Sequence, residues 1–426
     1  MNQILKNTMI EVLRHLYFSI AVMLFPSVLG CHEKKNVENN TVVLTQKDDL
    51  YRVKLELPDK NKLKDLYLSE IADSIYYVTI NDSRIINPSG LYLTDSGDFI
   101  ANGGVNGNLE LYDINGNFKK RIGSVGRGPG EYMWPNIVIN QNTKKVFLAS
   151  TTTYGKLMIY DIDGSSSNST GEILNGRFNR IEGMHFIGNN ILFIHPNNTR
   201  KEASELQLYD FKNNTFIDSI SNYASNIPSS TILMEFNGSR AFGMYDNEGY
   251  YSCMYSDTLY RITERAIEPF VVFDYGKYRM IAELKTSNAS IKDYSSGKLD
   301  PMDQFAGKMY IKTIIRSGNI LYIRISYTSK DNPLSFIYAL NLENGEGIYY
   351  NPAFINDLDN GPDYYGDNSK LPLAELKVNP DDTKLKNSVF PNNNISKKLR
   401  DPNVLLRIFE NVTENSNPVF MYIKRK

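Results

Sequence analysis

Cysteine, histidine and tryptophan are all scarce in this chain, whose 426 residues hold two, four and one of them respectively. With only Cys31 and Cys253, an intrachain disulfide framework and a Cys/His zinc cluster of the usual spacing are both excluded. Of the histidines, His15 and His32 flank Cys31 near the N-terminus, so only His185 and His195 remain as imidazole bases in the body. Both sit in apolar runs, MHFIGNN and ILFIHPNN, which read as packed strand residues, so chemistry built on histidine is disfavoured. Charge of one sign is missing too: 47 Lys and Arg stand against 48 Asp and Glu, so no global field draws in nucleic acid, and no nucleic-acid partner is expected. Nor does the apolar run LYFSIAVMLF (16–25), at ten residues, reach the roughly 20 that a membrane-spanning helix needs.

What is abundant is aromatic surface. The chain carries 29 Tyr and 20 Phe within a composition 41% hydrophobic and 22% charged, which describes a folded protein that favours strands. The ten-residue run has another use. It follows Lys6 and Arg14 and precedes Val28-Leu29-Gly30-Cys31, the order of a signal-peptide core followed by a bacterial lipobox. Residues 1–30 are therefore expected to be a lipoprotein signal peptide, and Cys31 the acylated residue that anchors the chain to a membrane. Residues 31–48, polar and without periodicity, read as a flexible tether. Cys253, alone in YYSCMY, reads as a small buried apolar residue.

The remaining residues, 49–426, repeat. NLELYDINGN around Tyr112, KLMIYDIDGS around Tyr160 and ELQLYDFKNN around Tyr209 are each an alternating strand that ends in Tyr-Asp and a turn. SDTLYRITER at Tyr260 and LSFIYALNLENG at Tyr338 continue the series, the last after an insertion. Within the first unit GLYLTD, DFIANGG, NLELYDI and FKKRIG are four short strands joined by DSGD and INGN, turns that supply the positive φ a hairpin requires. Four antiparallel strands in about 48 residues fit a propeller blade better than a helical solenoid. The expected fold is all-β: a six-bladed β-propeller of four-stranded antiparallel blades, with seven blades as the alternative. The sixth blade would be assembled from residues 41–80 and 375–426, so that the N- and C-terminal segments close the ring. Insertions are expected at 281–308 and 351–400, with a short helix near 387–408.

Five segments, LSEIADSIYYVTI (68–80), KRIGSVGRGPGEY (120–132), SDTLYRI (256–262), NDLDNGPDYYG (356–366) and NSNPVFMYIKRK (415–426), together resemble the six-bladed β-propeller lipoproteins of Bacteroidetes, a family related to NHL and TolB-like propellers. That resemblance implies six blades and a cell-envelope location, with no established activity for most members. Some surface-exposed lipoproteins of these bacteria carry acidic residues after the cysteine. Here His32-Glu33-Lys34-Lys35 follows instead, and an outer-membrane anchor facing the periplasm is the expectation.

Candidate sites come from loops. GSVGRGPGEYMWPN (123–136) has the glycine spacing of a Walker loop but lacks its lysine and hydroxyl, and it lacks the third glycine of a dinucleotide fingerprint. It reads as the link from the last strand of one blade to the first of the next. Its bare amides form a candidate anion nest, and Arg127, Glu131, Tyr132 and Trp134 are candidate ligand contacts for a peptide, glycan or protein partner. Asp357, Asp359 and Asp363 in NDLDNGPD resemble part of a calcium loop and form a candidate Ca²⁺ site, whereas the strings at Asp113 and Asp161 read as hairpin turns. Within the first insertion Tyr294, Asp300 and Asp303 are further candidate contacts. The functional expectation is a lipid-anchored, non-enzymatic binding module that needs no cofactor. The alternative is a propeller hydrolase or lyase that uses carboxylates and a divalent cation at the channel mouth. Substituting Cys31→Ala should shift the protein from the membrane to the soluble fraction on cell fractionation, and continued membrane retention would contradict the anchor.

Overall fold

Alternating apolar strands and glycine-bearing turns become antiparallel meanders in the computed structural model. It describes residues 43–47, 50–80, 90–102, 107–128, 131–133, 135–149, 157–162, 167–168, 181, 183–194, 204–222, 240–280, 305–329, 331–358, 363–365, 373–378 and 419–426. All of them belong to one compact unit, Thr41–Lys426. The expected signal peptide, Cys31, the expected helix at 387–408, and Tyr294, Asp300 and Asp303 lie outside the described residues. Among the described residues regular structure is strand with short 3₁₀ turns, and no helix is long and apolar enough to cross a membrane.

The chain begins with β1 (Val43–Lys47), β2 (Leu50–Lys54), β3 (Lys64–Tyr67) and β4 (Ala72–Thr79). A first meander follows, β5 (Gly90–Leu93), β6 (Phe99–Asn102), β7 (Leu109–Tyr112) and β8 (Phe118–Ile122). A short parallel pair, β9 (Ser124–Val125) and β10 (Glu131–Tyr132), leads to the second meander, β11 (Asn136–Asn140), β12 (Lys145–Ala149), β13 (Leu157–Asp161) and β14 (Ser167–Asn168). The third is β15 (Gly183–Ile187), β16 (Asn190–Ile194), β17 (Ser204–Asp210) and β18 (Thr215–Ser221). The fourth is β19 (Arg240–Tyr245), β20 (Glu248–Cys253), β21 (Thr258–Ile262) and β22 (Ile267–Asp274). The fifth is β23 (Met309–Ser317), β24 (Ile320–Tyr327), β25 (Leu334–Asn341) and β26 (Gly347–Ile355). Last come β27 (Leu373–Val378) and β28 (Val419–Arg425). All four strands expected for the first unit are present.

The hairpin turns follow from local chemistry. In the β5–β6 turn Thr94 N–H donates to Asp98 O at 2.8 Å, and Gly97 takes φ +85°. In the β7–β8 turn Asp113 N–H donates to Asn117 O at 2.9 Å, and Gly116 takes φ +82°, conformations that cost a Cβ-bearing residue dearly.

The terminal segments divide their pairing. Within a three-stranded sheet β28 pairs antiparallel with both β27 and β4, from Val419 opposite Thr79 to Arg425 opposite Ala72. The described residues 43–47 and 50–67 do not join it, contrary to expectation. Instead β2 adds parallel to β22 at the edge of the fourth sheet, with β1 outside it, and β3 adds parallel to β26 at the edge of the fifth. Strand β1 falls within the stretch expected to be tether. The physical reason lies in the edges: β22 and β26 would otherwise present unpaired backbone, and residues 50–67 satisfy it. Tyr51 fastens this strap by donating its hydroxyl to Leu342 O at 2.5 Å and setting its ring edge-on to Phe270 at 5.4 Å.

The five repeat tyrosines occupy one structural position. Tyr112, Tyr160, Tyr209, Tyr260 and Tyr338 all lie on the third strands, β7, β13, β17, β21 and β25. Each joins the apolar cluster shared with the preceding sheet. Tyr112 packs with Ile80, just after β4, and Tyr160 with Leu109 and Leu111 of the first sheet. Tyr209 packs with Val138 and Phe147 of the second, and Tyr260 with Ile187 and Leu192 of the third. Tyr338 packs with Ala241, Tyr250 and Leu259 of the fourth. Cys253 is buried in the cluster between the third and fourth sheets, where burial pushes its thiol well above the ordinary range. A further cluster joins the fifth sheet to the three-stranded terminal sheet through Ile315, Ile337 and Ile423. Because Ile423 is fully buried there, Ile423→Ala should cost about 2–5 kcal/mol of unfolding free energy in urea titrations. A loss below 0.5 kcal/mol, within the usual range for surface substitutions, would mean that β28 does not hold the fold.

Candidate functional site

In an antiparallel meander the first-to-second and third-to-fourth turns lie at one end of the sheet, and the second-to-third connection lies at the other. The first strands run side by side, β11 beside β15 and β19 beside β23, so their turns come together. Four of those turns, after β5, β11, β15 and β19, line one cavity of about 630 Å³, which also receives Lys426 beyond β28. That volume lies within the roughly 300–1,000 Å³ typical of small-molecule sites.

Its walls are held by specific bonds. Gln141 links the first two turns: its Nε2 donates to Leu93 O at 2.8 Å, and its Oε1 accepts from Asp95 N–H at 3.1 Å. Asn140 accepts from Thr143 N–H at 3.0 Å and shapes the β11–β12 turn. His185 is buried and its ring stacks on Phe242 at 3.8 Å between centroids, so it is a packed strand residue that also meets the cavity. On the fourth side Tyr245 lines the cavity, with the Arg316 guanidinium 4.9 Å from its ring centre. Arg316 also donates to Glu248 at 2.8 Å, and Tyr250 donates its hydroxyl to the same carboxylate at 2.5 Å. Burial, followed by the bond to Glu248, drives the Tyr250 phenol far above its usual range, so Tyr250 stays a neutral donor and the β19–β20 hairpin stays fixed. Asp95, Asn142, Asp246 and Asn247 stand exposed on this frame, and their side chains bond to no described residue.

The glycine loop lies at the opposite end of the sheets, where β8 passes to β11. Tyr132 is fully buried there, donating its hydroxyl to Ile122 O at 2.7 Å and accepting from Leu109 N–H at 2.8 Å. Glu131 turns back into the loop and accepts from Gly128 N–H at 2.7 Å. Gly123 takes φ +62°, and a Cβ there would lie 2.9 Å from the Tyr132 and Tyr160 rings, so that glycine is required by close approach, while the chain's own Glu131 carboxylate occupies the candidate anion nest at Gly128. Arg127 is exposed, and Trp134 lies outside the described residues. Geometry thus commits Tyr132 and Glu131 to holding the loop and leaves Arg127 presented to solvent.

The aspartates of NDLDNGPD are likewise engaged. Asp357 accepts from Ser69 N–H at 2.9 Å and from Ser69 Oγ at 2.6 Å, tying the 3₁₀ turn Leu68–Glu70 to the end of the fifth sheet. Asp363 accepts from Asn356 N–H at 3.1 Å, and Asp359 lies outside the described residues. Among the described residues no three His, Cys, Asp or Glu side chains cluster closely enough to hold a metal ion. The hairpin string at Asp113 is an ordinary turn, its carboxyl held below the usual range by hydrogen bonds from the side chain and backbone of Asn117. Sequence reasoning missed the cavity because Asp95, Asn142 and Asn247 look like any polar turn residues. The usable signal was topological, since every first-strand turn of a repeat must face the same end.

The family model of DUF4934, described as a domain of unknown function, matches residues 51–424. No curated protein matches the chain. Among solved structures it is similar to a Bacteroides fragilis protein described as exported, with a TM-score of 0.50, 12% identity, and coverage of 88% of this chain and 99% of that one. A DUF4221 family member from Bacteroides vulgatus follows, with a TM-score of 0.39, 10% identity and coverage of 67% and 88%. A streptogramin B lyase follows at 0.36 and 12% identity, with coverage of 65% and 73%.

Burial, partly offset by the Leu109 N–H bond, pushes the Tyr132 phenol from its ordinary 10 up to about 12. A raised folded-state value means that its contribution is complete below pH 10 and is lost as pH rises from 10 towards 12. Tyr132→Phe should cost about 1–3 kcal/mol at neutral pH, because a buried acceptor and donor lose their partner. It should also flatten part of the alkaline loss in urea titrations. An unchanged neutral-pH stability would contradict the role assigned to the hydroxyl.

Proposed function

The chain belongs to the DUF4934 family, and we propose that it is a lipid-anchored, non-enzymatic six-bladed β-propeller that holds a peptide, glycan or protein partner at the cavity framed by its first-strand turns. The observation that carries this reading is the convergence of four equivalent turns, from four different sheets, on one polar cavity. A solenoid would string equivalent turns along a line, whereas a ring brings them to a common axis. Six blades are supported by the order of the apolar clusters: each of the second to fifth meanders shares one with its predecessor, the terminal sheet shares one with the fifth, and Ile80, just after β4, joins that of the first. The antiparallel pairing of β28 with β4 is then the latch that closes the ring.

The address rests on Val28-Leu29-Gly30-Cys31 and on the basic residues that follow. They support an outer-membrane anchor facing the periplasm, and a similar fold in a protein described as exported agrees with an envelope location.

A thermal-shift screen of the full chain against sugars, peptides and metal ions tests the site. A ligand at 100 times its Kd should stabilise the protein by about 2.7 kcal/mol, and the gain should vanish in Asn247→Trp, which fills the cavity mouth. Mass spectrometry should recover the ligand chemically unchanged. A stabilising ligand indifferent to Asn247→Trp would remove the cavity from the proposal, and conversion of the ligand would replace the binding module with the enzyme.

A further inference from the structure

Three features of the cavity bear on what it takes. The first is charge. The lining carries two carboxylates, Asp95 and Asp246, against one ammonium, Lys426, so the charges largely offset and neither sign of ligand is strongly selected. The second is the number of carboxamides: Asn140, Gln141, Asn142 and Asn247 contribute four, and each is both donor and acceptor. Gln141 and Asn140 are spent in part on the turns, while Asn142 and Asn247 stand on opposite hairpins with no described partner. The third is apolar lining: Val138, Ile139, Phe186 and Tyr245 also border the cavity and give apolar and aromatic surface between the polar turns.

An apolar ligand would strip water from carboxamides and carboxylates without replacing its hydrogen bonds, at a cost that such burial does not return. A ligand of hydroxyl groups answers each of them, because a hydroxyl donates to a carboxylate or amide oxygen and accepts from an amide N–H at the same time. The carbon faces of a ring that bears those hydroxyls suit the aromatic and aliphatic lining. We infer that the cavity binds a neutral polyhydroxylated ligand, a saccharide of two or three rings, with Asn142 and Asn247 as direct contacts and Tyr245 as the ring against which it lies. This deepens the binding-module reading and rests on it.

Isothermal titration of the full chain with neutral trisaccharides of gluco, manno, galacto and xylo configuration, beside trigalacturonate and trilysine, tests both. At least one neutral trisaccharide should bind saturably, and Asn142→Ala and Asn247→Ala should each weaken it tenfold or more without lowering the melting temperature. The exposed Lys54→Ala, on the outer strap, should leave it unchanged. Binding of only trigalacturonate or trilysine, weakened by the same two substitutions, would overturn the saccharide class while leaving the binding module standing. Absence of binding by every neutral trisaccharide would overturn the saccharide class, and binding indifferent to both substitutions would remove the cavity from both readings.

Discussion

The packing of each third-strand tyrosine against the sheet before it is the constraint on which the rest of this structure depends. A four-stranded meander of fewer than 50 residues cannot bury both of its faces alone, and it gains a core only by stacking on neighbours. A tyrosine brings a large apolar ring to that interface, and its hydroxyl remains to be satisfied locally. Tyr112 gives its hydroxyl to Glu110 at 2.8 Å, and Tyr209 gives its own to Asn214. Burial raises the phenols of Tyr160, Tyr209, Tyr260 and Tyr338 alike, so the repeated residue stays neutral throughout the physiological range.

Face-to-face stacking has two consequences for the rest of the chain. It leaves sheet edges, and the strap of residues 50–67 covers two of them, β22 and β26, with parallel backbone pairing. It also sets first strands side by side, which gathers their turns at one end. Those turns are released from core packing, so their side chains are free to be polar, and a cavity forms where four of them meet. Gln141 and the Glu248–Tyr250–Arg316 group show how the turns are made rigid enough to hold something. The glycine loop at the other end solves a different problem: it must reverse the chain between sheets in little space, and Glu131 stands inside it to satisfy Gly128.

Much of the fold was legible because it rests on short-range pattern. Tyr-Asp-apolar followed by an Asn, Asp or Lys turn marks the end of the third strand in the first three meanders, and DSGD and INGN supply left-handed glycines at the required offset. The pairing of the last strand with β4 was legible as well, since an isolated terminal apolar segment, PVFMYIKRK, needs an edge. The placement of residues 43–47 and 50–67 was not. LYRVK and KDLY carry no mark of the sheet they join, because parallel edge pairing uses backbone groups that every residue has. The site was harder still. The loop at 123–136 stands out by its composition, yet Gly123 answers to steric need and Glu131 and Tyr132 to holding the loop, while the exposed turn residues Asn142 and Asn247 are chemically commonplace.

By itself, then, the sequence determined the strand repeat and its turns, since period-two alternation and glycine geometry are decided within a few residues of chain. Which residues face a shared cavity was decided only by tertiary structure. Asp95, Asn142 and Asn247 are far apart in sequence, and only the stacking of whole sheets, driven by burial of the tyrosine-bearing faces, brings their turns to one place.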